Sequence, residues 1–191
     1  MQENIKDTLT KVFILNAPPN AGKDVVASEL VKVLGVNHIE FKKPLFDIAK
    51  SIAQISDEEW NTLYNDRILK ETPSDKLFGK SPRDHMIFVS ENVIKPLYGK
   101  DYFGKMFVNN LKEGINVSSD GGFLEELQPT IEKHGKDNVY IIRLHRVGCN
   151  FDNDSRDYLY DTGCVELDIE NNGTLEDLYS KVLTVVTNEE K

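Results

Sequence analysis

Residues 11–26 read KVFILNAPPNAGKDVV, and no other stretch limits the fold as tightly. KVFILN is a nearly continuous apolar run, the pattern of a central parallel strand buried on both faces. The run breaks at Pro18-Pro19. A helical pattern then starts at Gly22, with Val25, Val26, Leu30, Val33 and Leu34 on one stripe. A buried strand, a short turn and an amphipathic helix make a βα unit, and such a unit needs parallel strands beside it.

Four further segments have strand character: 37–41 (NHIEF), 115–119 (INVSS), 138–144 (NVYIIRL) and 164–169 (CVELDI). Helical spacing of apolar residues predicts helices over 44–54, 83–97, 101–112, 123–134 and 174–186, the last with Thr174 as N-cap before an acidic first turn. Alternating strands and helices predict an α/β three-layer sandwich around a five-stranded parallel sheet, in one domain spanning 1–191. The stretch 42–114 is too long for a simple crossover and mostly helical, so it is expected to project as a substrate-covering insertion. Residues 71–82 (ETPSDKLFGKSP) are rich in turn formers and read as a loop. The ends, 1–9 and 188–191, are expected to fray.

With 39% hydrophobic and 29% charged residues, the 191-residue chain can build a core. A net charge of −9 disfavours broad nucleic-acid binding but leaves room for a small basic pocket. Cys149 and Cys164 fit no metal or redox spacing; they read as buried small residues in a reducing, cytoplasmic setting. The N-terminus is polar, unlike a signal peptide. No apolar run approaches the roughly 18–20 residues of a membrane-spanning helix, so no membrane partner is expected. The four histidines show no metal spacing, and no Ser/His/Asp or Cys/His pattern has a matching context.

Ligands of open parallel sheets bind at the carboxyl ends of the strands, so those ends carry the chemistry. The first strand runs into APPNAGKD. A phosphate cradle needs inward-facing backbone N–H groups, a helix N-terminus behind them and a lysine within reach. The loop from Asn20 through Ala21, Gly22, Lys23, Asp24 and Val25 supplies these, with Lys23 as the catalytic cation. Ala17 stands where a glycine is usual, at a cost only if its φ is positive. Asp24 stands where a serine or threonine is usual; its carboxylate is a hard oxygen ligand suited to Mg²⁺. The third strand ends at Asp120, placed to contact Mg²⁺ through water or to orient an attacking oxygen, or to cap the helix that starts near Phe123. Arg143, Arg146 and Arg156 cluster around the loop after the fourth strand; a lid over about 145–160 is expected, with Arg143 and Arg146 as catalytic arginines on the developing charge. Arg83, in SPRDHM, is a candidate clamp for a second anion. Lys42 and Lys43 add positive charge on the same edge.

Taken together, Gly-Lys-Asp (22–24), FKKPL (41–45), SPRDHM (81–86), SDGGFLEEL (119–127), RLHR (143–146), DSRDYL (154–159) and ELDIENNGTLEDLYSKV (166–182) resemble the deoxynucleoside monophosphate kinases of tailed bacteriophages, within the P-loop NMP-kinase group. The resemblance spans most of 11–186. It implies transfer of the ATP γ-phosphate to a (deoxy)nucleoside monophosphate with Mg²⁺. By matching motif, Lys23 and the loop backbone bind ATP phosphates, and Arg83 binds the acceptor monophosphate with Lys42 and Arg156 nearby. Asp120 sits near acceptor or metal, and Arg143 and Arg146 lie on the lid side. The 42–114 insertion becomes the NMP-binding region. The implied partners are small nucleotides, with a homodimer left open, in the cytoplasm (of a host cell, if viral). Val25 departs from the pattern, since many relatives carry threonine there. Two other readings stay open: a kinase for another acceptor such as dephospho-coenzyme A, and a non-catalytic nucleotide-binding protein.

Overall fold

The computed structural model describes residues 9–152 and 154–188. The expectations for the chain ends fall almost wholly outside these residues. Five strands, β1 (Lys11–Asn16), β2 (Asn37–His38), β3 (Ile115–Ser118), β4 (Val139–His145) and β5 (Val165–Glu170), form one sheet in the order β2-β3-β1-β4-β5. Every pairing is parallel. The second strand is two residues rather than five; its continuation Ile39-Glu40-Phe41 leaves the sheet after the amide of Ile39 bonds to Val117.

Alternation along the central strands sorts side chains into two cores. Phe13 and Leu15 of β1, with Tyr140, Ile142 and Leu144 of β4, face α1 (Lys23–Leu34). The C-terminal helix (Leu175–Asn188) covers the same face through Leu178, Val182 and Val186. Val12 and Ile14 of β1, with Val139 and Ile141 of β4, face Phe41, Phe107 and Leu127. Burial on both faces is what the unbroken apolar runs require.

Between β2 and β3 lie α2 (Lys42–Ala53), α3 (Asp57–Asn65), α4 (Pro82–Phe88), α5 (Lys95–Tyr98) and α6 (Tyr102–Asn110). Their own core gathers Ala49, Trp60, Leu77, Val89, Ile94 and Phe103. Two features differ from the sequence reading. Residues 83–97 are not one regular helix: a π-helical segment, Val89–Ile94, joins α4 to α5. Residues 71–82 are not a simple loop: two 3₁₀ turns, a Ser74–Lys80 bridge and the fully buried Leu77 pack that stretch onto the helices. After β3, α7 (Leu124–His134) crosses to β4, and the C-terminal helix is α8. The connections leaving β1 and β4 depart toward opposite edges of the sheet, which opens a crevice at their carboxyl ends.

Candidate active site

The loop after β1 wraps the N-terminus of α1. Asn20 and Gly22 adopt positive φ (65° and 99°), whereas Ala17 does not. Alanine therefore costs the loop nothing at Ala17, and the glycine that matters is Gly22. A Cβ there would meet Asn171 Nδ2 at 2.9 Å. Asn171, in the turn before α8, is buried and donates to the Ala21 carbonyl at 2.8 Å, bracing the loop from behind. Lys23 folds back so that Nζ donates to the Pro18 carbonyl at 3.2 Å. Burial first, and Arg156 second, hold its ammonium below the ordinary lysine value.

This loop forms one wall of a cleft of about 640 Å³ between the sheet and the helical insertion. Of the residues singled out in the sequence, Asn20, Lys23, Asp24, Lys42, Arg83, Asp120 and Arg156 line it. Arg83 Nε donates to Glu71 at 2.7 Å, and its side chain stays half exposed. Arg156 is forked onto Asp154 (2.9 and 2.7 Å), which raises its pKa further, and its stem lies against Gly122, where a Cβ would come within 2.8 Å of Arg156 Cδ. Lys42 pairs with Glu40 at 2.7 Å. Burial would lower its pKa, but the carboxylates of Asp120 and Glu40 outweigh that and raise it. Lys43 pairs with Asp47 on the surface instead.

Asp120 lines the cleft with both oxygens committed. Oδ1 accepts from the Phe41 amide (3.0 Å) and the Ser118 hydroxyl (2.7 Å), and Oδ2 from the Lys42 amide (2.8 Å). It caps the start of α2, not the helix near Phe123. Val25 is 43% exposed and lies outside the cleft, and Ala21 is buried beneath the loop, so neither side chain reaches a ligand there.

Arg143 is a correction. It sits inside β4, opposite Asp168 of β5, and its side chain is 5% exposed. Nε and Nη2 bond Asp168, Nη1 bonds Glu166 and the Leu159 carbonyl, and the guanidinium lies 4.1 Å from the Tyr160 ring. Its donors are committed to holding the edge of the sheet together, away from the cleft. Arg146 behaves differently: it is exposed and its Nη1 reaches the Asn20 carbonyl at 3.2 Å. Part of the expected lid is also anchored. The buried amide of Asn16 donates to the Asp157 carbonyl (3.1 Å) and accepts from the Leu159 amide (2.8 Å), and Leu159 enters the core. The two cysteines are free and half-buried rather than fully buried.

Several cleft residues escaped the sequence reading. Arg67 donates to Asn20 Oδ1 at 2.7 Å, joining the insertion to the phosphate loop. Lys70 lies 4.0 Å from the Tyr64 ring. Phe41, Phe103, Phe123, Ser90, Lys95 and Glu126 line the cleft as well. Lys95 Nζ is 2.8 Å from Glu91 and 3.7 Å from Glu126, whose side chain is 9% exposed. Burial pushes the Glu126 carboxyl up to about 7 despite the ammonium beside it. The π-helical segment sets Ser90 and Glu91 on the cleft wall, a common use of π-bulges.

A deoxynucleotide monophosphate kinase, provisionally so named, from Acanthamoeba polyphaga mimivirus is 28% identical over 184 residues, covering 88% of this chain and 92% of that protein. No protein-family profile matches the chain. Among solved structures, dephospho-CoA kinase from Campylobacter jejuni superposes with a TM-score of 0.51 at 15% identity, covering 95% of this chain and 98% of that one. Shikimate kinase from Acinetobacter baumannii gives a TM-score of 0.47 at 15% identity, over 96% of each chain. The fold is thus the five-stranded parallel α/β sandwich of the P-loop kinases. Among the described residues, no helix is long and apolar enough to cross a membrane.

Proposed function

We propose that the chain is a cytoplasmic, ATP-dependent nucleoside monophosphate kinase of the kind tailed bacteriophages encode, with a (deoxy)nucleoside monophosphate as acceptor. The observation that carries this reading is the make-up of the cleft. A phosphate loop with Lys23 stands at one end, and Arg67, Lys70, Arg83 and Arg156 stand on the walls. Phe41, Phe103 and Phe123 add aromatic rings to the same lining. Cations together with aromatic faces suit a phosphate joined to a base. The name of the mimivirus relative agrees with it.

In this reading the loop backbone and Lys23 hold the ATP phosphates. Arg83 and Arg156 hold the acceptor phosphate, one of whose oxygens attacks the γ-phosphorus as the bond to the ADP oxygen breaks. Little covalent work falls to the protein; positioning and charge stabilisation do most of it. Arg146 and Arg67, both bonded to Asn20, flank the loop where negative charge is concentrated. The donor chemistry near Lys23 fits Mg²⁺. Asp24 offers a carboxylate, and among the described residues no cluster of three His, Cys, Asp or Glu exists to favour a softer or fully caged metal. When bound, the ion would neutralise charge on the phosphates. The helical stretch 42–114 would serve as the acceptor-binding region and the segment from Arg146 to Arg156 as the lid.

The test is a coupled ADP-release assay with ATP-Mg²⁺ against the ribo- and deoxynucleoside monophosphates, with dephospho-coenzyme A as a further acceptor. Turnover on a nucleoside monophosphate is expected. Turnover on dephospho-coenzyme A alone, or nucleotide binding with no transfer, would overturn the reading.

A further inference from the structure

In the usual phosphate-loop arrangement a serine or threonine hydroxyl follows the loop lysine, and an aspartate at the end of a neighbouring strand supplies the carboxylate. We propose that this chain has exchanged the two: the carboxylate stands in the loop at Asp24, where it would hold magnesium, and the hydroxyl stands past β3 at Ser119, where it orients that carboxylate. The proposal rests on reading the loop as a nucleotide site.

Position and geometry both point to Ser119. Asp24 directly follows Lys23, in the place of the usual hydroxyl. Ser119 directly follows β3, the strand beside β1, where Ile14 pairs with Ser118. Its side chain is buried, yet its hydroxyl donates to Asp24 Oδ1 at 2.8 Å. On its other side His38 Nε2 lies 3.4 Å from the same oxygen; with the hydroxyl proton directed at Asp24, Oγ can only accept from that ring. Among the described residues nothing bonds Asp24 Oδ2, and Asp24 lines the cleft.

The obvious rival is the next residue. Asp120 is the only acidic residue at the end of β3, but its oxygens carry the first amides of α2 and the Ser118 hydroxyl. Turning it toward a metal would strip those amides of their partner, a cost of about 1–3 kcal/mol for a buried donor left unsatisfied. Ser119 holds no helix amide; its hydroxyl is bonded to Asp24 itself. The exchanged pair keeps the usual inventory, one carboxylate and one hydroxyl, so the net charge offered to the ion is unchanged. Magnesium, which keeps several waters and takes one or two protein oxygens beside phosphate, asks for no more.

The experiment measures binding of a non-hydrolysable ATP analogue by calorimetry with and without Mg²⁺. The electron paramagnetic resonance spectrum of Mn²⁺ in the same complex is a second readout. In the unaltered protein, the metal should tighten the analogue by about tenfold or more. Ser119→Ala and Asp24→Asn should each reduce that gain to about threefold or less, and in Ser119→Ala metal-free affinity should change by less than about twofold. The double exchange Asp24→Ser with Ser119→Asp should restore most of the gain and the bound-Mn²⁺ spectrum; thermal melts confirm that each variant folds. A full metal gain in Ser119→Ala, a double exchange no better than the single variants, or no metal gain in the unaltered protein would overturn the exchanged pair. Metal-tightened binding that depends on Ser119, with no transfer to any acceptor, would overturn the kinase reading and leave the pair standing.

Discussion

Glu126 gives the chain a titration that can be read in its stability. The carboxyl is buried in the cleft wall, with Lys95 3.7 Å away, and burial raises it from its ordinary 4.5 to about 7. The folded state therefore holds a proton that the unfolded chain has already released between those values. Stability must fall as pH rises from about 4.5 through about 7, and level off above. The displacement corresponds to about 3 kcal/mol between the two plateaus. For a chain of this length that is a difference of about 6–12 °C in Tm. Glu126→Gln keeps the shape and removes the titration. Urea unfolding of both proteins from pH 4.5 to 8 should show the variant gaining on the parent by about 3 kcal/mol across the window. Parallel stability profiles would refute the reasoning, because they would mean that the site does not disfavour the charged carboxyl.

Three further outcomes follow from the site. Lys23→Ala should lower transfer by about 10²-fold or more while the thermal melt stays cooperative, since in the proposed function its charge acts on the phosphates and its own side-chain bond is to the Pro18 carbonyl. Arg83→Ala should raise KM for the acceptor with little change in KM for ATP, as steady-state kinetics with each substrate varied will show; the reverse pattern would place Arg83 on the donor side. Arg143→Ala should cost about 2–4 kcal/mol in urea unfolding, because it strands the Glu166 and Asp168 carboxylates, while activity per folded molecule is kept. Asp168 is held far below the ordinary carboxylate range, chiefly by its bonds to Arg143, so the stability it contributes is present above about pH 4 and lost on acidification.

The sheet was legible because KVFILN and NVYIIRL are buried on both faces, and such runs leave few alternatives. The helix Asp57–Asn65 was not read from apolar spacing, since Trp60 alone is fully buried there. Its capping box, Ser56 with Glu59, was the available signal. The π-helical segment has no local signature, because packing of the insertion decides it. Lys23, Asp24 and Arg83 were found because they stand at helix starts, and Arg156 because it belongs to the basic loop after β4. Arg67, Lys95 and Glu126 reach the cleft only through the mutual orientation of helices, which no short motif encodes. Arg143 was misplaced because the acidic alternation of Glu166 and Asp168, on the edge strand opposite it, was not weighed.

Ser119 and Asp120 are adjacent, yet one turns toward Asp24 and the other toward the first turn of α2. The two glycines after them are confined as well: a Cβ on Gly121 would come within 2.6 Å of Ile14, and one on Gly122 within 2.8 Å of Arg156. The turn after β3 is therefore fixed in length, not only in composition. Removing one residue ahead of them would bring the carboxylate to the loop, and adding one would bring the hydroxyl to the helix; either loses both contacts in a single step. Across descendants of this chain, the segment should tolerate substitutions at its edges far more readily than any change in residue count.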